Sequence, residues 1–312
     1  MNEFAERIER DFPVRRKEKE KMDFRTWLVY TLKELGYSPR LESGTSALSM
    51  GGNMTNVVVG DMEKAKIVLA AHYDTGVREI LPPLICPTRP ATFLLYQALF
   101  PLLVLAASFL VSFGVTFAFN LPNLTLPLFL LLLIAALFYP RYGKSETNNI
   151  NDNTSGVTAL LEVAKALTPR YRSEVCFLFL DGGTQAGKGA KGLVRAHPEL
   201  KKKSVIVLDC VGEGDELLIL PGKASRWNDK LLDAILDHFS NSEKKTCFLK
   251  TDGFVHYPSD NRAFAGGTVI CACDKAKGFG RCILPRRAEK IDEENLSLLC
   301  DGLCKLVMYY NP

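Results

Sequence analysis

The sequence predicts an α/β protein: a three-layer sandwich around a central, mostly parallel or mixed sheet, with a helical membrane hairpin inserted into it. Three observations predict this. Near-continuous apolar runs of strand length, such as Val175 to Leu180 and Val205 to Leu208, alternate with helical patterns, the signature of a sheet buried on both faces. Polar, chemistry-bearing residues stand directly after those runs, where open α/β sheets carry their sites. And from Ala91 to Pro140 there is not one charged side chain.

In chain order, residues 1–39 hold helical stretches, with Phe24, Trp27, Leu28, Leu32 and Leu35 on one apolar stripe that ends at Gly36. Asn56 to Gly60 and Ile67 to Ala71 read as strands around the turn Asp61-Met62-Glu63-Lys64. Val157 to Leu167 is an amphipathic helix closed by Pro169. Val175 to Leu180, Val205 to Leu208 and Leu217 to Leu220 are strands, and Trp227 to Phe239 and Glu293 to Tyr310 are helices. With no internal repeat and no low-complexity linker, residues 1–90 and 141–312 form one discontinuous domain, and 91–140 are an insertion rather than a boundary.

Within the insertion, Phe93 to Phe119 would reach ~40 Å as a helix at ~1.5 Å per residue, beyond a hydrocarbon core of ~30 Å. Asn120-Leu121-Pro122-Asn123 then makes a turn into the shorter run Leu124 to Tyr139, with Pro127 near its start. Both ends of a hairpin return to one side. Arg78, Arg89, Arg141 and Lys144 flank it while the turn carries no cation, which predicts a soluble domain on the cytoplasmic face. The nine cysteines agree: most sit in apolar runs such as Val269 to Cys273, no Cys-x-x-Cys pair is present, and free thiols suit a reducing compartment. The charged N-terminus excludes a signal peptide. A net charge of +4, with no basic-aromatic surface, excludes nucleic acid as an expected partner.

The chemistry lies at strand ends. In His72-Tyr73-Asp74 an imidazole is placed to ligate a metal while the carboxylate two residues on orients its other nitrogen. Asp152, between Asn151 and Asn153, precedes a helix, and Asp209 ends an apolar strand. Singly, Asp152 reads equally as a helix cap and His72 as a hydrogen-bonded core histidine. Together and in this order they read as a metal pocket.

The stretch Ile67 to Thr75, the run Asn151 to Glu162, the pattern Val205 to Gly212, Ser259-Asp260-Asn261-Arg262-Ala263-Phe264 and Asp292-Glu293-Glu294-Asn295 resemble the M28 family of zinc aminopeptidases, over the soluble chain from about Asn56 onward. The resemblance implies a pair of zinc ions bridged by Asp152, with His72 and Asp209 completing the pocket of one ion, and a cis peptide at Asp152-Asn153. It also implies two glutamates at Gly183 and Thr184, the first the general base and the second a ligand of the other ion. A late histidine is implied where Ile283-Leu284-Pro285-Arg286 places Leu284, and another where Asn261 stands. None of these is present. A metal without a base binds but turns over poorly, so the expected protein is a pseudo-peptidase holding at most one zinc, with a peptide or a membrane protein as partner. His256 and Cys282 are the possible substitutes for the lost ligands; an active aminopeptidase with a site rebuilt from them is one alternative. The other is anion or nucleotide binding by the Gly182-to-Gly189 loop, which has Gly182, Gly187 and Lys188 in P-loop spacing but Gly189 where Ser or Thr would hold magnesium.

Overall fold

The computed structural model describes residues 2–44, 54–79, 83–239, 241–285 and 288–310, the side chains of 140 and 141 excepted. The side chain of Arg141, and Arg286, therefore lie outside the described residues. Two N-terminal helices, α1 (Glu3–Asp11) and α2 (Glu18–Glu34), precede the strands β1 (Arg40–Gly44), β2 (Met54–Val59) and β3 (Ile67–His72). The hairpin helices α3 (Pro90–Ala118) and α4 (Thr125–Tyr142) follow. The chain then returns through α5 (Ser155–Ala166), β4 (Val175–Leu180), α6 (Lys188–Ala196), β5 (Ser204–Leu208) and β6 (Glu216–Pro221). It ends with α7 (Asp229–His238), β7 (Thr246–Leu249), β8 (Gly267–Ala276), β9 (Gly280–Cys282) and α8 (Glu293–Tyr309).

The strands make one mixed sheet in the order β1-β2-β4-β3-β5-β8-β6-β7, with β9 paired to β8. Its centre, β4-β3-β5-β8, is parallel throughout. Those central strands are buried on both faces, and their side chains alternate between two cores. Ile67, Leu69 and Ala71 of β3 and Ile206 and Leu208 of β5 meet α1, α2, α5, α7 and α8. Val68, Ala70, Val205 and Val207 point the other way, against Ala190, Leu193 and Val194 of α6. Each fully buried Leu, Ile or Phe contributes on the order of 1.5–3 kcal/mol, which is why the apolar runs, rather than intrinsic propensity, fix these strands.

The hairpin has the opposite dressing. Leu95, Leu110, Phe117 and Leu137 stand outward, exposed, whereas Ser108, Ser112 and Thr116 are buried against α4. Two of the hydroxyls are satisfied within the hairpin: Ser112 Oγ donates to Ser108 O (2.6 Å), Thr116 Oγ1 bonds to Ser112 O (2.8 Å), and Thr116 and Thr125 hydroxyls lie 2.7 Å apart. Pro127 falls in the first turn of α4, where a missing N–H costs little. Both helices are long and apolar enough to cross a membrane. The hairpin root is tied to the domain by the bridge Val77–Ser145 and by Tyr139 donating to Arg78 O (2.7 Å).

Candidate metal centre

Parallel pairing sets up the site. β3 and β5 run side by side in register, Ala70 opposite Val207, so His72 at the end of one and Asp209 just past the end of the other emerge at the same sheet edge. Asp152 arrives from the segment before α5, and its peptide bond to Asn153 is cis, as the resemblance implies. Asn153 holds the three pieces together. Its Nδ2 donates to Leu208 O (2.8 Å) and His72 O (3.4 Å), and its Oδ1 accepts from Cys210 N (3.3 Å) and Gly156 N (3.2 Å). Asn153, not Asp152, therefore meets the start of α5. Asn151 adds a second clamp, accepting from Gly212 N at 2.8 Å.

The result is a compact donor set. His72 Nε2 lies 3.2 Å from Asp152 Oδ1 and 4.0 Å from Asp209 Oδ1, and one ligand atom from each of the three residues lies within 4.8 Å of the others. Ligand atoms ~2.0–2.2 Å from a zinc ion stand roughly 3.3 Å apart, so one nitrogen and two carboxylate oxygens at these spacings would suit such an ion at the cavity wall. On the far side of the ring, His72 Nδ1 is 3.2 Å from Asp74 O and 3.5 Å from Asp74 Oδ1. Burial disfavours charge on His72, yet Asp152, Asp74 and Asp209 outweigh it and hold the imidazole pKa well above its ordinary value. For Asp209, burial and the neighbouring Asp152 prevail over His72 and raise its pKa. A cation at the centre would relieve that mutual strain among carboxylates.

The family model for peptidase family M28 matches residues 140–292, which contain Asp152 and Asp209. Solved structures share the whole fold. A glutaminyl cyclase from Porphyromonas gingivalis superposes with a TM-score of 0.59 at 14% identity, covering 98% of this chain and 96% of its own. A Zn-dependent exopeptidase from Parabacteroides distasonis gives 0.59 at 14% identity, over 99% and 96% of the two chains. A leucine aminopeptidase precursor from Bacteroides thetaiotaomicron gives 0.55 at 15%, over 99% and 95%. The chain has an M28-like fold, and its residues 140–292 match that family's model. No curated protein sequence matches it.

The loop after β4 serves an internal partner. Gly182 and Gly187 adopt left-handed φ of 71° and 68°, and the backbone N–H groups between them point inward. They are already occupied: Gly183 N and Thr184 N donate to the Asp74 carboxylate at 2.7 and 3.2 Å, and Thr184 Oγ1 adds a third bond at 2.5 Å. The anion this nest binds is Asp74. That corrects the phosphate-loop reading, because the donors a phosphate would need are spent on an internal carboxylate. Burial opposes charge on Asp74, but His72, Thr184 and Gly183 together hold its pKa below the usual value.

At Gly183 there is no space for any side chain. A Cβ there would lie 2.3 Å from His72 Cγ and 2.5 Å from His72 Cβ. The imidazole stands against the backbone at residue 183. Nor do the proposed substitutes reach the centre, which corrects the expectation that either replaces a lost ligand. His256 pairs its Nε2 with Arg262 (3.1 Å) and packs on Phe93 (5.3 Å between ring centres), and Cys282 is buried with Cys86 and Phe93. Both belong to the hairpin-root side of the domain. Leu284 is half-buried beside Ile283, whose backbone bridges to Ile85.

The cavity over the centre, about 280 Å³, is lined by His72, Asp152, Asp209, Gly183 and Thr184, and by Asp260. Asp260 was named in the sequence only as part of a motif, yet it is 3% exposed and neither carboxylate oxygen has a hydrogen-bond partner. Burial pushes its pKa up to about 7. The sequence signal is Ser259-Asp260 itself; what could not be read is that the carboxylate turns into this cavity with neither oxygen hydrogen-bonded.

Proposed function

We propose that this is a membrane-anchored M28-type protein that holds one zinc ion on His72, Asp152 and Asp209 and does not hydrolyse peptides by the chemistry of its relatives. The observation that carries the reading is Gly183: the position of the general base has no side chain, and the His72 ring fills the room one would need. When bound, the metal supplies Lewis acidity at the cavity. The chain's own residues hold the donors in place through Asn153 and Asp74, and no group at residue 183 takes a proton from water. A cavity of this size with a metal at its floor suits capture of a peptide terminus or another small polar group presented by a partner.

The apolar outer face of α3 and α4, with the Ser112 and Thr116 hydroxyls turned inward and hydrogen-bonded, supports burial in lipid. The cations at the root, Arg78, Arg89 and Lys144, support a cytoplasmic soluble domain; protease protection in sealed vesicles tests that side directly.

Zinc per chain in the detergent-solubilised protein is the deciding measurement, with Asp152→Ala as its control. One equivalent, lost in the variant, with no aminopeptidase turnover in either protein, is the expected result. Asp260 favours a second reading, a residual hydrolase in which this carboxylate handles the proton. Turnover that requires both Asp152 and Asp260 would overturn the first reading in its favour.

A further inference from the structure

A second cavity, about 1120 Å³, opens at the hairpin root. Its lining includes Leu137 and Tyr142 near the end of α4, Arg16 and Lys17 of the segment before α2, and Lys144. Arg16 is half-buried and donates to Gly143 O at 2.6 Å, which fixes its guanidinium at this wall. Lys17 and Lys144 are exposed, and among the described residues neither has a carboxylate partner. Two further charges line the cavity and are committed elsewhere: Lys21 bonds both oxygens of Asp181 (2.9 Å), and Glu18 pairs with Arg25 (2.5 Å). The balance facing the cavity is cationic.

The cavity is also continuous with an apolar surface. Leu137, in its wall, is 79% exposed, and Phe138 and Ile134 stand exposed on the same helix. A ligand lying here meets cations at one end and a bare hydrocarbon stripe at the other. Thr184 lines both this cavity and the one over the candidate metal centre.

We propose that the root cavity binds the phosphate headgroup of an anionic phospholipid, its acyl chains lying along the outer face of α4. The inference rests on the reading of α3 and α4 as membrane-embedded. A free phosphate would satisfy the cations but leave the stripe uncovered, whereas a lipid satisfies both at once, and basic clusters at the cytoplasmic end of membrane helices recognise such headgroups. Because Thr184 is shared, an occupied root cavity braces the wall on which Asp74, and through it His72, is held.

The test is native mass spectrometry of the full-length, detergent-solubilised protein titrated with phosphatidylglycerol or phosphatidylcholine of identical acyl chains. Phosphatidylglycerol is expected to bind about tenfold or more in preference, in keeping with two cations facing an anionic headgroup. The preference should vanish in Lys17→Gln/Lys144→Gln, whose unchanged zinc content reports an intact fold. Equal retention of the two lipids in the wild type overturns the proposal, as does a preference that survives in the double variant. Soluble glycerol phosphate binding as tightly as phosphatidylglycerol overturns the lipid source. Release of the protein from membranes by alkaline carbonate would instead sink the underlying membrane reading, independently of any lipid preference.

Discussion

The two sides of the candidate centre differ in what has been kept. On the β3–β5 side, His72 and Asp209 leave adjacent parallel strands in register, and Asn153 ties their backbones to the segment bearing Asp152. On the β4 side the backbone is just as well built, with its turns at Gly182 and Gly187 and its inward N–H groups, but Gly183 and Thr184 bring no ionisable side chain to the centre. The difference shows that the scaffold and the chemistry of one site are separable. The β4 loop supports the other half by gripping Asp74 behind His72.

That comparison can be broken most severely at its foundation. Asp181, fully buried just before the vacated loop, is neutralised by Lys21 of α2, and burial together with Asp74 raises its pKa. Lys21→Met leaves that carboxylate with only Thr55 N at 3.1 Å and Arg25 at 4.0 Å, and unfolding by denaturant should show a loss of about 3–5 kcal/mol. Next comes Gly183. Gly183→Ala should cost about 1–3 kcal/mol by forcing a methyl against His72, and Gly183→Glu should restore no aminopeptidase turnover. Recovered turnover in Gly183→Glu would show that the two halves are only conditionally separated.

Asp260 sharpens the contrast through pH. Its folded pKa of about 7 lies above its ordinary value of 3.8, so the folded state holds the proton more tightly than the unfolded one. Stability attached to this group is therefore full below about pH 4 and falls as pH rises towards about 7. In metal-free protein, thermal unfolding of Asp260→Asn should match wild type near pH 4 and exceed it by a few degrees at pH 8. No crossover would mean that the carboxylate has found a partner. The mildest effect is expected behind the ring: Asp74→Asn should leave the fold intact but weaken zinc binding by about 10–100-fold, read by competition with a chelator.

Much of this was legible in the sequence, for physical reasons that can be named. Val175 to Leu180 matches β4 end to end because a central parallel strand must be apolar on both faces, so no alternation obscures its limits. Of the strands left unread, β8 shows in the sequence only as the apolar run Val269 to Cys273, while others have pairing that does not show in composition. β1 is an edge strand with Arg40, Leu41 and Glu42 half or fully in solvent, and β7 is likewise part exposed. α6 begins Lys188-Gly189-Ala190-Lys191-Gly192, too rich in glycine to look helical, because its glycines allow β1 and β2 to approach closely. At the site, ligand identity follows from residue order along strands, whereas the collapse of space at Gly183 and the isolation of Asp260 depend on neighbours distant in sequence.

The hairpin's place in the chain has a consequence for how the protein is made. Ile67 finds its partner at Val175, so β3 leaves the ribosome long before the strands that will flank it, and the apolar insertion is synthesised in between. On the reading proposed here, the nascent chain is delivered to the bilayer while His72 is still on an unpaired strand and Asp152 does not yet exist. Membrane insertion thus comes first in biosynthesis, and metal acquisition waits for a domain that closes around an already tethered chain.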